Sequence, residues 1–297
     1  MAASGWTYGG RYRKSGCRIG GGAGRYRKVA AKIVVRGGGD IATGVVQKFF
    51  RAGFHVIILE TAEPTAIRRS VALCEAVYEG SAKVEDVVCR KADVLGEIDS
   101  ILGAGCVPLL IDPAAQTLSD IKPMAVIDAI LAKRNLGTNM DMAEVTIALG
   151  PGFCAGSDVH AVIETMRGHD LGRLILEGYA KPDTGIPGEI GGKSAERVLR
   201  APEAGTVLCK KQIGDTVAKG DVVFAVGENE VRAPFTGLLR GMIRDGLAIH
   251  KGMKAADIDP RTDVDWRTIS DKARCLGGAA LEAYFYLAVT GKHESIW

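Results

Sequence analysis

Paired cysteines are missing from this sequence. Its seven cysteines, Cys17, Cys74, Cys89, Cys106, Cys154, Cys209 and Cys275, are odd in number, scattered and never spaced C-x-x-C. That pattern argues against a disulfide framework and a structural zinc site, and it fits a reducing compartment. No metal site is expected. Long apolar runs are missing as well: nothing approaches the ~18 uncharged apolar residues of a membrane span, and no apolar segment leads into a small-residue cleavage site near the start. The expectation is a cytoplasmic protein with no membrane partner. Aromatic residues are scarce, at 6%. Acidic residues are absent from the first 32 positions, where Arg11, Arg13, Lys14, Arg18, Arg25, Arg27, Lys28 and Lys32 contribute +8 against a whole-chain charge of +3, so the rest of the chain stands at −5. A mildly acidic body gives no ground for a nucleic-acid partner.

What is present is glycine, 39 of 297 residues, and an alternation of short apolar runs with helical stretches. At roughly 100–200 residues per domain the length suggests two domains. Residues 1–31 are rich in Gly and Arg without apolar periodicity and are expected to form a disordered basic extension. From Lys32 the pattern is regular. Ile33-Val34-Val35 reads as a buried strand, and Ile41, Ala42, Val45, Val46 and Phe49 then recur at helical spacing. His55 to Leu59 reads as a second strand and Val84 to Val88 as a third. Val94 to Leu102 is helix-like, Val107 to Ile111 a strand whose Pro108 belongs near a strand start, Lys122 to Arg134 a helix, and Glu144 to Leu149 a strand. Such alternation predicts an α/β fold, a Rossmann-like mostly parallel sheet with helices on both faces, over residues 32–197.

The last third differs. Residues 201–222 and 233–254 repeat at a constant offset of 32 positions, pairing Ala201 with Ala233, Pro202 with Pro234, Gly205 with Gly237, Gly214 with Gly246 and Gly220 with Gly252. Two copies are too few for a solenoid, so the repeat predicts a small pseudo-twofold β module over 198–260. Its period matches lipoyl and biotinyl carrier domains, but the hairpin at Gly227-Glu228-Asn229-Glu230 lacks their modified lysine. Over 261–297 a terminal helix, Thr268 to Tyr286, is expected to pack back on the α/β body.

Three stretches carry candidate chemistry. Gly37, Gly38, Gly39, Asp40, Ile41 and Thr43 form the glycine turn between the first strand and helix, where unpaired N–H groups and the helix dipole favour a phosphate; the third glycine of G-x-G-x-x-G falls on Ala42, the allowed variant. Glu60, about 20 residues on, is placed to accept ribose hydroxyls. Arg68 and Arg69 suit phosphate or carboxylate recognition. Gly150 and Gly152 mark a second glycine-rich strand exit, where Cys154 is a candidate nucleophile or sulfur or selenium carrier. Glu164, Arg167 and His169 follow in a charged loop, short of a triad. No complete catalytic constellation appears, so the residues leave catalysis open.

Together, VVRGGGDIATGV (34–45), RAGFHVIILE (51–60), EPTAIRRSV (63–71), ALGPGF (148–153), VIETMRGHDLGR (162–173) and TISDKARCLGG (268–278) resemble the accessory proteins of selenium-dependent molybdenum hydroxylase systems, the YqeB-type family. The resemblance implies a Rossmann-like body with a barrel-sandwich-hybrid module. It also implies a maturation factor acting on a molybdenum hydroxylase apoenzyme or with other maturation factors, and handling molybdenum cofactor in its nucleotide-bearing form. His160 stands where an acidic residue is expected in that pattern. Two alternatives stand beside this expectation: an NAD(P)-dependent oxidoreductase, and a scaffold whose β module docks the apo-hydroxylase. Homo-oligomerisation is compatible with each.

Overall fold

The computed structural model describes residues 31–290; the basic extension expected over 1–31 lies outside them save for Ala31, and so does the end of the chain from 291. In chain order the strands are β1 (Lys32–Arg36), β2 (His55–Glu60), β3 (Ser81–Val84), β4 (Val87–Ala92), β5 (Val107–Ile111), β6 (Ala125–Asp128), β7 (Val145–Leu149), β8 (Cys154–Ala155), β9 (Ala161–Ile163), β10 (Leu174–Ile175) and β11 (Gly178–Tyr179). After them come β12 (Val198–Arg200), β13 (Gly205–Cys209), β14 (Thr216–Val217), β15 (Val222–Val226), β16 (Asn229–Arg232), β17 (Gly237–Met242), β18 (Ala248–Ile249) and β19 (Lys254–Asp259). The α-helices are α1 (Asp40–Arg51), α2 (Ala76–Glu79), α3 (Ile98–Gly103), α4 (Leu118–Ile121) and α5 (Asp271–Thr290).

Nine strands form one sheet, ordered β10-β9-β7-β6-β1-β2-β5-β4-β3. All neighbours run parallel except the edge pairs β9/β10 and β3/β4. Period-2 alternation explains how both faces are buried. Ile33, Val35, Val56 and Ile58 face α1 and α5, while Val34, Ile57, Leu59 and Val126 face α3 and α4. On the first face α1 and α5 cross closely enough that a Cβ on Gly44 would lie 2.3 Å from the Ala273 carbonyl oxygen, and one on Gly277 would lie 2.3 Å from that of Gly44. The C-terminal helix thus seals the face that α1 begins.

Two sequence expectations fail here. Val84 to Val88 is not one strand but a hairpin, with Val84 opposite Val87 and Glu85 at φ +52°. Tertiary contacts hold that turn: the Glu85 carboxylate accepts from Gln47 Nε2 at 2.8 Å, from the Ile269 amide at 2.9 Å and from Arg274. Lys122 to Arg134 is not a helix. Pro123 bars a helix interior, Lys122 ends α4 at φ +50°, and Ala125-Val126-Ile127-Asp128 becomes β6, a fully buried strand between β1 and β7. Local apolar spacing does not distinguish a short central strand from a helix turn; flanking parallel partners do.

The β6 strand decides the topology. Chain order leads away from β1 through β2 and β5 on one side and through β6, β7 and β9 on the other, so the direction of winding reverses between β1 and β6. Crevices in open α/β sheets open at such a point, beyond the carboxyl ends of the strands.

The duplicated region forms two four-stranded antiparallel sheets, β12-β19-β17-β14 and β16-β15-β13-β18. Each strand of the first copy has its counterpart 32 positions on, and the offset maps one sheet onto the other. Because each sheet draws strands from both copies, neither copy closes a core alone; Val207, Val223, Phe224, Leu239 and Ile258 pack into one shared interior. The module rests on the segment after β2: the Met242 amide donates to the Ile67 carbonyl at 2.8 Å, Arg69 Nε donates to the Met242 carbonyl at 2.8 Å, and Arg244 reaches Glu75 and Glu79.

Candidate functional site: a basic cleft at the sheet edge

The carboxyl ends of β1 and β2 open into a cleft of about 640 Å³, roofed by the β module and flanked by the head of α5. Gly37, Gly39, Asp40, Ile41, Glu60 and Arg68 all line it. The turn between β1 and α1 is built for close approach. Gly37 has φ +94°, and a Cβ there would press on Ala129 and Ile130 at 3.2 Å; one on Gly38 would press on Cys74 at 3.0 Å. Gly39 is different: it precedes α1 in extended conformation, and a Cβ there would meet nothing within 4 Å. No side chain caps α1. Its first-turn amides therefore lack intrahelical acceptors and carry the positive end of the helix dipole.

Several predicted residues turn out to brace this turn. Thr43 is wholly buried; its hydroxyl donates to the Gly39 carbonyl at 2.8 Å and accepts the Leu73 amide at 3.0 Å. Glu60 borders the cleft, but its carboxylate accepts the Gly38 amide and the Thr61 amide, each at 2.7 Å. Burial pushes its pKa up, while the two amide bonds oppose the shift. Glu60 fixes the shape of the glycine loop.

Arg68 and Arg69 diverge. Arg69 pins the module through Met242, whereas Arg68 enters the cleft, with one guanidinium nitrogen 3.7 Å from Asp40 and another donating to the Thr268 carbonyl at 3.2 Å. Its Nε is buried with no partner, and burial lowers its pKa.

The second glycine exit does not belong to this cleft. A Cβ on Gly150 would lie 2.7 Å from Thr165 Oγ1, and one on Gly152 would lie 2.6 Å from the Arg134 backbone. Both glycines sit at positive φ and are required by packing. The chain then enters β8 instead of a helix, so no helix dipole is directed at a ligand. Cys154 lies on β8 opposite Tyr179 of β11. Its amide donates to Asp158 at 2.8 Å, and the hydrogen bond with Cys154 pushes the Tyr179 phenol up. Its neighbours are thus a carboxylate and a phenol rather than a cation or base. The cysteine at the cleft is Cys74, 1% exposed, whose thiol is pushed up by burial and then by Glu60. His160 accepts the Thr146 amide at 3.0 Å and tethers the chain after β8 to β7. Glu164 is likewise structural, accepting the Met166 amide at 2.7 Å and the Lys181 amide at 2.8 Å.

Sequence reasoning missed the cationic wall opposite the glycine turn, formed by Arg197 just before β12, Arg240 and Lys254 of the module and Lys272 of α5. One signal for it was legible. At the 32-residue offset, Arg240, Lys254 and Asp257 replace Leu208, Val222 and Ala225, so the copy facing the body is charged where the other is apolar. Among the described residues no group of three or more His, Cys, Asp or Glu side chains is placed to hold a metal ion, and no helix is long and apolar enough to cross a membrane.

These features define an α/β protein with a large, mostly parallel sheet and a basic cleft at its winding reversal. The chain is 50% identical over 260 residues to the uncharacterized protein YqeB of Escherichia coli K12, a match covering 87% of this chain and 48% of that protein. The chain therefore spans about half the length of the curated relative it matches. No protein-family model matches the chain. Among solved structures, the product-bound ectoine utilization protein EutE (DoeB) from Ruegeria pomeroyi aligns at 13% identity and a TM-score of 0.23 over 77% of this chain and 85% of that one. An aspartoacylase family protein from Mesorhizobium loti aligns at 12% identity and the same score of 0.23, over 77% and 84%. Likenesses at that score carry over neither fold nor chemistry.

Proposed function

We propose that this chain binds a nucleotide-bearing ligand in the cleft, as an accessory factor in maturing selenium-dependent molybdenum hydroxylases, with the dinucleotide form of molybdenum cofactor as its cargo. The observation that carries the binding reading is the uncapped head of α1 beside Gly39, where space left for a Cβ opens into a basic cleft. Strand order supports it: with the β3/β4 hairpin set aside, β5-β2-β1-β6-β7-β9 follows the 3-2-1-4-5-6 order of Rossmann-like dinucleotide-binding sheets. The interleaved sheets of the module fit a barrel-sandwich hybrid. The maturation role rests on the sequence resemblance to the YqeB-type family.

A phosphate ester fits the donor set, since amides, Arg68 and the lysines offer hydrogen bonds and positive charge. The nicotinamide-redox alternative has less behind it. Its acidic ribose acceptor would be Glu60, and both oxygens of Glu60 already hold loop amides.

The test is calorimetric titration of the wild-type chain and Gly39→Val with molybdenum cofactor dinucleotide, NAD and NADP. A Cβ at Gly39 meets nothing in the fold, but Gly39 is the N-cap of α1 and valine caps poorly, so the variant should lose only a few degrees of melting temperature and about tenfold or more in affinity, equivalent to ~1.4 kcal/mol. Absence of binding by any of the three, or equal binding by the variant, sinks the reading.

A further inference from the structure

The cleft has two sides, and only one is explained by a phosphate at the glycine turn. On the other side, Lys254 at the start of β19 and Lys272 in the first turn of α5 border the cavity, and neither ammonium has a hydrogen bond or ion pair within the described residues. The acids near them have other partners, including Glu164, which accepts the Met166 and Lys181 amides, and Asp183, which pairs with Lys133. Asp257 accepts from Arg197 Nη1 at 2.8 Å and from Arg240 Nε at 3.1 Å. Asp271 takes both terminal nitrogens of Arg167, at 3.0 and 3.2 Å. Asp40 lies 3.7 Å from Arg68.

A second observation is independent of the lysines. Arg197 is 4% exposed and lines the cleft, and its Nε has no partner although its terminal nitrogens are bound to Asp257 and the Gly188 carbonyl. A buried guanidinium N–H without an acceptor is costly to maintain. The half-buried Lys254 ammonium nearby raises that cost, because like charges in a partly dry cavity repel. Both lysine pKa values are pushed down, first by burial; Asp257 and Asp40 oppose the shift at Lys254 more than Arg240 and Arg197 add to it, and at Lys272 Arg167 adds to it against Asp40, Glu164 and Asp183. An anion seated between the two lysines would relieve both of them.

The head of α5 contributes through Lys272 rather than through free amides. Ser270 takes the Ala273 amide on its Oγ at 3.2 Å and the Arg274 amide on its carbonyl oxygen at 2.9 Å. The first subsite, at α1, is made of amides; the second is made of side chains from two different parts of the chain.

We propose that Lys254 and Lys272 form a second anion subsite, so that the ligand carries two linked phosphoryl groups, one at the head of α1 and the other clamped between the β module and α5. This rests on the nucleotide-binding reading and adds the charge class of the ligand and the module's part in holding it. Binding then joins body and module, since Lys254 arrives from the duplicated strands and Lys272 from the terminal helix.

The experiment compares ADP, AMP, inorganic pyrophosphate and orthophosphate on the wild-type chain, Lys254→Met, Lys272→Met and Gly39→Val, by calorimetry with melting temperature alongside. Methionine keeps the length of the stem and removes the charge. The expected result is that each lysine variant weakens ADP at least tenfold and AMP less than threefold, while its melting temperature holds or rises because an uncompensated cation is gone. Pyrophosphate binding as tightly as ADP identifies the source as a condensed inorganic phosphate; weaker binding identifies a nucleotide.

Equal losses for ADP and AMP, or none, with Gly39→Val still weakening both, overturn the second subsite and leave the nucleotide reading standing. Lysine-dependent pyrophosphate binding that ignores Gly39→Val supports the subsite and overturns the glycine-turn reading. No binding by any of the four overturns both.

Discussion

The two glycine-rich strand exits look alike in sequence and do opposite things in the fold. At Gly37 to Gly39 the chain leaves β1 and enters an uncapped helix, with open space beside Gly39. At Gly150 to Gly152 it leaves β7 under packing so close that Thr165 and the Arg134 backbone occupy the space of a side chain. Gly37 and Gly38 make room for neighbouring chain, as Gly150 and Gly152 do, and only Gly39 leaves open space beside it. Glycine content alone therefore does not mark an anion site; a following helix with free amides does.

The largest expected effect in breaking this comparison is on stability. Gly152→Ala combines φ +107° with a Cβ 2.6 Å from backbone, and both the left-handed strain and the overpacking are destabilising, by roughly 2–4 kcal/mol together. Thermal unfolding should show a drop of several degrees, and a melting temperature within a degree of wild type would refute the packing assignment. Gly39→Val should do the reverse, costing only the weaker helix cap, about 1 kcal/mol, and losing affinity for the phosphate-bearing ligand.

A smaller effect concerns the link between the loop after β9 and the cleft. Arg167, on that loop, pairs with Asp271 at the head of α5, and that hydrogen bond holds the Asp271 carboxyl down at about 2. A depressed carboxylate stabilises the fold fully above its unfolded value of about 3.9 and progressively less as pH falls toward about 2. Asp271 is 77% exposed in its side chain, so solvent screening limits the contribution to a few tenths of a kcal/mol. Urea midpoints of wild type and Asp271→Asn should differ slightly at pH 6 and converge near pH 2; a gap that widens on acidification contradicts the assignment.

The smallest effect is expected at Cys154. Cys154→Ser should leave ligand affinity unchanged, and iodoacetamide should modify the thiol no faster than an ordinary exposed cysteine at pH 7. Fast alkylation with loss of binding would return chemistry to the second exit.

Much of the α/β body was legible. The strands near Ile33, His55, Val107 and Val145 follow from apolar runs, and α1 from its 3.6-residue spacing. Two elements were not. The hairpin at Glu85 depends on contacts to its carboxylate from α1 and α5, and β6 depends on lying between β1 and β7; neither cause is local. Of the residues singled out in the sequence, Gly37, Gly39, Asp40, Ile41, Glu60 and Arg68 line the cleft, the first four because they are neighbours in one strand-to-helix turn. Arg69, Thr43, Gly150, Gly152 and Cys154 were grouped with them by sequence proximity or composition, which say nothing of side-chain direction.

By itself, then, the sequence determined the alternation of strands and helices, the glycine turn ahead of α1, and the 32-residue duplication, since each is a periodicity or a backbone requirement carried by neighbouring residues. Only the tertiary structure decided where the winding reverses, which glycine exit stays open, and that Lys254 and Lys272 face one cavity. Those depend on which distant segments share a wall, and the charges that remain unpaired are known only once every acid able to pair with them has been placed.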